Sequence, residues 1–385
     1  MCGVWDDIKC FKIYRTIKVV MKVIISAGGT GGHIFPAIAV ADELRRRDPS
    51  VQILFVGAKG KMEMERVPKA GYAIEGLWIS GFQRRLTWQN LIFPFKVLSS
   101  MWNARRIIRD FRPNVVVGFG GFASGPTLRV AASKGIPTVL QEQNSYAGVT
   151  NKLLAEKAVK ICVAYPNMER FFPKEKVVLT GNPVRSDILN LHAKKIEGIQ
   201  HFNLNPNRKT IVIIGGSLGA RTLNRAMEAS ADLIAQNPDV QILWQCGKLY
   251  ETDFKDGKAA NLPNVQMKTF IDRMDLVYAA ADVIIARAGA LTISELCLAG
   301  VPSVLVPSPN VAEDHQTQNA MSLVNEKAAI LVKDVHAKEE MIEKALQILR
   351  NDLLQSDLKN NILRLGRPYA CKDIADEILH AAQPM

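Results

Sequence analysis

Apolar and polar positions alternate along this chain with two periods. Short runs rich in β-branched and apolar residues at 21–25, 51–56, 115–119 and 138–142 read as buried strands, with further strands at 72–79 and, shorter, at 176–179. Between them, apolar residues recur three or four apart at 34–44, 63–70 and 90–110, the spacing of helices with one buried face. The second half repeats the scheme, with strands at 210–214, around Gln241 and Val265, at 282–285 and at 303–306, and a last helix at 373–382. Strands alternating with helices predict an α/β fold of parallel sheets covered on both faces. Ligands of such sheets bind beyond the carboxyl ends of the strands.

The loops at those ends are where the chain is unusual. The first strand runs into Gly28-Gly29-Thr30-Gly31-Gly32-His33, and a helix follows with Pro36 in its first turn. The strand at 210–214 runs into Gly215-Gly216-Ser217-Leu218-Gly219, and a third turn, Gly120-Gly121, follows 115–119. Glycine there permits positive φ and lets a ligand reach the backbone. The free N–H groups of the following helix start favour an anion or a polar oxygen. Two such units, on strands centred at Ile24 and Val212, predict two similar α/β domains facing one cleft. The expected organisation is an extension at 1–20, a first domain at 21–184, a hinge at 181–185, a second domain at 185–368 entered through a linker at 190–209, and a last helix at 369–385 able to cross back to the first domain.

Several chemistries can be weighed on these turns. Gly29 and Gly31 match the start of a dinucleotide fingerprint, but Ile34 replaces its third glycine and no acid ends the second strand. Neither turn has the Gly-Lys-Ser/Thr of a P-loop. Gly215-Gly216-Ser217-Leu218-Gly219 does match a nucleophile elbow, with Asp282 and His315 in hydrolase order, so a serine hydrolase remains the rival reading. Against it, the parallel turn carries Thr30, which fits two oxygen-lined pockets better than one nucleophile. His33 is placed to donate a hydrogen bond or take a proton. At 286–295 a strand leads into a helix starting near Ala290, a phosphate seat, with Glu295 one to two turns in and able to accept two ribose hydroxyls. The amide-rich loop at 307–320 suits sugar hydroxyls. No Asp-x-Asp pair stands out, so no metal is implied.

Composition narrows the setting. The six cysteines are scattered without a Cys-x-x-Cys pair, which argues for a reducing compartment and against zinc or disulfides. No apolar run approaches the roughly 20 residues of a membrane span. The net charge of +12 calls for a polyanionic partner. Much of it is local: Arg84, Arg85, Lys96, Arg105, Arg106, Arg109 and Arg112 interleave with Trp88, Phe93, Phe95 and Trp102. Basic residues mixed with aromatics on a long amphipathic segment read as a surface for anionic lipid. Nucleic acid is the other polyanion, but no nucleic-acid motif accompanies the patch.

Seven segments in order, SAGGTGGHIFPAIAVADEL, GFGGFASGP, QEQNSYAGVTNKLLA, GNPVR, GGSLGA, RAGALTISEL and EDHQTQNA, resemble the MurG family of peptidoglycan N-acetylglucosaminyltransferases over about residues 21–380. The resemblance implies a GT-B architecture, two Rossmann-like domains with the active site between them. It implies inverting, metal-free and cofactor-free transfer of N-acetylglucosamine from UDP-N-acetylglucosamine to the 4-hydroxyl of the muramoyl sugar of lipid I, giving lipid II, at the cytoplasmic face of the cell membrane. By position it assigns donor contacts to Thr30, Gly31, Gly32, Asn144, Arg185, Ser217, Ile271, Ala290, Leu291, Thr292, Ile293, Ser294, Glu295 and Gln316, and a catalytic role to His33.

Overall fold

The computed structural model describes residues 20–80, 88–189, 191–216 and 218–383; the side chains of 88–91, 186, 192 and 312 are likewise outside the description. Two parallel sheets carry the chain. The first holds β1 (Lys22–Ser26), β2 (Gln52–Ala58), β3 (Ala73–Leu77), β4 (Val115–Gly118), β5 (Thr138–Glu142), β6 (Lys160–Val163) and β7 (Val177–Leu179), in the order β3-β2-β1-β4-β5-β6-β7. The second holds β8 (Lys209–Ile214), β9 (Val240–Gln245), β10 (Val265–Lys268), β11 (Val283–Ala286), β12 (Ser303–Leu305) and β13 (Ile330–Leu331), in the order β10-β9-β8-β11-β12-β13. In both sheets the strand order reverses beside the first strand, between β1 and β4 and between β8 and β11. A crevice opens at such switch points, and the two glycine turns leave β1 and β8 there.

The strands are apolar on both faces because helices cover both. Ile24, Val116, Leu140 and Ile161 pack on one side of the first sheet, and Val23, Ile25, Val117 and Val139 on the other, all fully buried. β6 was not expected from the pattern: Lys160-Ile161-Cys162-Val163 is short and begins on a charge. The stretch at 190–209, expected to be a plain linker, carries the helix Lys195–His201 instead. A β-carbon on Gly198 would lie 2.6 Å from Leu276 O, so the missing side chain lets this helix settle directly on the helix Met274–Ala280.

The chain passes between the sheets twice. Outward it runs through Gly181-Asn182-Pro183-Val184-Arg185. It returns near Arg367, and the helix Ala370–Ala382 then lies on the first sheet, with Ile374, Ala375 and Ile378 buried beside Val23 and Phe119. Arg47 ion-pairs with Asp376 and donates to Lys372 O at 2.9 Å, fastening that helix to the helix Gly31–Arg47. A β-carbon on Gly181 (φ +88°) would lie 2.4 Å from Arg367 Cβ, so the two crossings touch.

Candidate functional site

A cleft of about 380 Å³ lies between the domains, lined from one side by Gly31, Gly32 and Phe35 and from the other by Gly216, Ile271, Ala290 and Glu295. Its first wall is built from stacked glycine turns. A β-carbon on Gly121 would lie 2.2 Å from Gly28 O, and one on Gly120 would lie 3.0 Å from His33 Nε2. The 120–121 turn therefore lies directly on the first turn and against the histidine ring. Glu63, fully buried, braces the same turn from beneath, accepting from Gly29 N at 3.2 Å and Ala58 N at 2.9 Å.

His33 sits in the first turn of the helix Gly31–Arg47, after the extended cap residue Thr30. Its Nδ1 is 2.9 Å from Gly28 O. A carbonyl only accepts, so Nδ1 carries the proton and Nε2 keeps its lone pair. Burial lowers the imidazole pKa from its ordinary value, against the opposing pull of the Gly28 bond and the charges of Glu142 and Glu63; His315, from the second domain, adds to the lowering. The ring is thus neutral at pH 7 and equipped to take a proton through Nε2.

The second wall is the start of the helix Ala290–Ala299, capped by extended Gly289. Its first N–H groups have no partner within the helix and face the cleft. The 290–295 run is divided by helical geometry: Ala290, Leu291, Thr292 and Glu295 line the cleft, Ile293 is buried in the core, and Ser294 turns toward the crossing, where it accepts from Asn182 Nδ2 at 3.0 Å. Glu295 accepts from Tyr278 OH at 2.8 Å and lies 3.7 Å from Arg185 Nη2. Burial raises its carboxyl pKa, while the Tyr278 bond and Arg185 pull it down. Ile271 lines the cleft with its N–H already donated to Gln245 Oε1 at 2.9 Å.

The other expected contacts lie elsewhere. Asn144 is outside the cleft lining; its Oδ1 accepts from Asn319 Nδ2 at 3.1 Å, and Ser145 N donates to Asn319 Oδ1 at 2.9 Å, which ties the two domains together. Gln316 accepts from Ser308 N at 2.9 Å, bracing the loop before it. Ser217 lies outside the described residues, as do Arg84 and Arg85. Pattern reading missed Glu63, Tyr278 and Gln245 as site residues. Tyr278 and Gln245 have no sequence signal beyond their places on an apolar helix and at a strand end. Glu142, which ends β5, is a buried acid accepting from Gly148 N at 3.0 Å and Asn151 Nδ2 at 2.8 Å.

The geometry removes the hydrolase alternative. Asp282 precedes β11 and is held at the amino end of the sheet by Thr210 N at 2.8 Å and by Lys195. The turn after β8 opens with Gly215 and Gly216 at the carboxyl end, about four residues or roughly 13 Å along the strands. Asp282 is therefore at the wrong end of the sheet to orient a histidine beside that turn.

Comparison with known proteins agrees with this architecture. Residues 23–163 match the glycosyltransferase family 28 N-terminal domain and residues 210–370 the glycosyltransferase family 28 C-terminal domain. The chain belongs to glycosyltransferase family 28 and to its MurG branch. It is 56% identical to the UDP-N-acetylglucosamine--N-acetylmuramyl-(pentapeptide) pyrophosphoryl-undecaprenol N-acetylglucosamine transferase of Flavobacterium psychrophilum, over 93% of this chain and 97% of that one. It is 53% identical to the enzyme of the same name from Bacteroides fragilis, over 94% and 96%. The crystal structure of Acinetobacter baumannii MurG superposes with a TM-score of 0.76 at 33% identity, covering 94% of this chain and 99% of that one. The two-domain GT-B fold of the family is the fold seen here.

Proposed function

We propose that this protein transfers N-acetylglucosamine from UDP-N-acetylglucosamine to the 4-hydroxyl of the muramoyl sugar of lipid I, with inversion, forming lipid II. The observation that carries this reading is the cleft whose first wall, Gly31 and Gly32, adjoins a neutral, oriented histidine and whose second wall is an open helix N-terminus with a buried acid. In a single displacement the acceptor hydroxyl must lose a proton as UDP departs with growing negative charge. His33 Nε2 receives that proton. The N–H groups of Ala290, Leu291 and Thr292, with the Gly216 turn and Ser217, stabilise the diphosphate. Glu295, oriented by Tyr278, accepts the ribose hydroxyls, and Ile271 receives the base. We take 21–184 with the returning helix as the acceptor unit and 185–368 as the donor unit, closing over the substrates about the paired crossings. The test is UDP release that depends on a lipid I analogue; release without acceptor at the same rate would contradict the reading.

Glu295 must be ionised to accept two hydroxyls. Because its pKa is raised, UDP affinity is expected to fall with decreasing pH already above the ordinary glutamate range. Tyr278 stabilises the ionised form, so Tyr278→Phe should move that fall to higher pH. Calorimetric titrations of UDP against pH check this; an unmoved profile in Tyr278→Phe would refute it.

The acceptor's polyprenyl chain stays in the bilayer, so the enzyme must come to it. No helix among the described residues is long and apolar enough to cross a membrane. On the helix Trp88–Phe111, Phe95, Leu98 and Trp102 are each about two-thirds exposed and follow one another at three- and four-residue steps, and exposed Arg105 and Arg109 extend the same stripe. We infer that this stripe docks on the anionic cytoplasmic leaflet, aromatic side chains in the interface and each arginine contributing about 1 kcal/mol near the surface. Arg105→Glu/Arg106→Glu/Trp102→Ser is expected to abolish sedimentation with anionic vesicles and to spare turnover of a short-chain soluble acceptor. Vesicle binding that survives both these changes and high salt would exclude the stripe as the docking surface.

A further inference from the structure

β9 is the middle strand between β8 and β10, and Gln245 is its last residue, in register with Ile214 on one side and Lys268 on the other. The loops that leave those two neighbours are the ones read here as diphosphate seat and base seat. The Gln245 side chain is 3% exposed and reaches both. Its Nε2 donates to Gly216 O at 3.0 Å, in the turn after β8, and its Oε1 accepts from Ile271 N at 2.9 Å, in the loop after β10. Main-chain contacts reinforce the same junction: Gly247 N donates to Thr269 O at 3.0 Å, and a β-carbon on Gly247 would lie 2.3 Å from Gly219 Cα.

We propose that Gln245 is a positioning residue of the donor site, its amide setting the spacing between the loop that receives the nucleobase and the turn that receives the diphosphate. The proposal rests on the donor reading above and adds to it a residue that makes no chemical step. A primary amide is what the position requires, because one group must donate on one side and accept on the other. Glutamate keeps the acceptor for Ile271 and loses the donor for Gly216, and its charge would lie beside the diphosphate seat. Methionine, of similar length, loses both. Because the Ile271 N–H is consumed by Gln245, the main-chain group that Ile271 has left for the base is its carbonyl oxygen, an acceptor suited to the imide N–H of uracil. Removing Gln245 also strands a buried N–H, which then pulls the loop toward any substitute acceptor.

The experiment compares wild type, Gln245→Glu and Gln245→Met by titration with UDP and, in competition, with uridine. Gln245→Met should weaken both ligands tenfold or more. Gln245→Glu should weaken UDP by at least as much and leave uridine within about twofold, since the bond to the base loop survives. KM for the sugar nucleotide should rise in both variants while kcat and the acceptor KM stay within about threefold, with melting temperatures within a few degrees of wild type. A merely structural role predicts a large fall in melting temperature and parallel losses of UDP and uridine in both variants, and that result, or wild-type UDP affinity in Gln245→Met, overturns the proposal. Wild-type protein that fails to bind UDP would count against the donor reading. Hydrogen exchange of the ligand-free proteins then decides on the clamp itself: the Ile271 amide should be protected in wild type and Gln245→Glu and exchange faster in Gln245→Met, and equal protection in all three overturns it.

Discussion

Alanine at position 33 is expected to lower kcat by about 10²–10⁴-fold while donor affinity stays within a few-fold. Nδ1 of the ring is spent on Gly28 O, so its catalytic value lies in Nε2, on the edge against Gly120. A hydroxyl placed there can give up its proton as the sugar is transferred, and no donor group needs that nitrogen to bind. The pH dependence follows from the direction of the pKa shift. Burial lowers the folded-state value, so the base-competent neutral form persists below the ordinary histidine value of 6.5. The acid limb of kcat at saturating donor should therefore fall below pH 6.5 and vanish in His33→Ala. The same shift costs stability in acid. The unfolded chain binds its proton first, so the contribution is lost as pH drops through 6.5 toward the folded value. Turnover and donor titration over pH 5–8 check both statements; a higher donor dissociation constant with unchanged kcat would make His33 a binding residue only.

The parts of the molecule legible in the sequence are those set by local physics. Strand runs such as Val115-Val116-Val117 and the glycine turns declared themselves, because burial between helix layers demands continuous apolar residues and a tight turn demands glycine. His33 and Glu295 could be singled out as candidates because each stands at a fixed step from such a turn. Gln245 was illegible for the opposite reason: its role depends on which strands become its neighbours, and nothing local in Trp244-Gln245-Cys246 encodes that β9 lies between β8 and β10. Tyr278 and Glu63 are of the same kind, reaching the site from helices whose own patterns only announce burial. Ser294 shows the converse limit. It belongs to the 290–295 segment by sequence, yet its hydroxyl serves the interdomain contact, since a helix presents only part of any six-residue run to one side.

The strongest test of the stacked turns is a single methyl group. Gly121→Ala is expected to lower stability by about 3 kcal/mol or more and kcat by at least a hundredfold. Two costs combine. Gly121 has φ +87°, where a side chain costs about 1–2 kcal/mol. In addition, its β-carbon would lie 2.2 Å from Gly28 O and 3.0 Å from Gly28 N, and backbone cannot rotate away as a flexible side chain does. The first turn must move. Gly28 O is the acceptor that holds His33 Nδ1, so its displacement frees the ring and with it the aim of Nε2. Gly135→Ala supplies the control. Gly135 has φ +73° at the end of the helix Ser124–Ser133, with nothing within 4 Å of the added carbon, so it should lose only the conformational cost and retain full turnover. Urea denaturation and turnover measured on both variants separate the two effects. Equal losses of stability with activity intact in Gly121→Ala would mean that the 120–121 turn does not hold His33 in a working position.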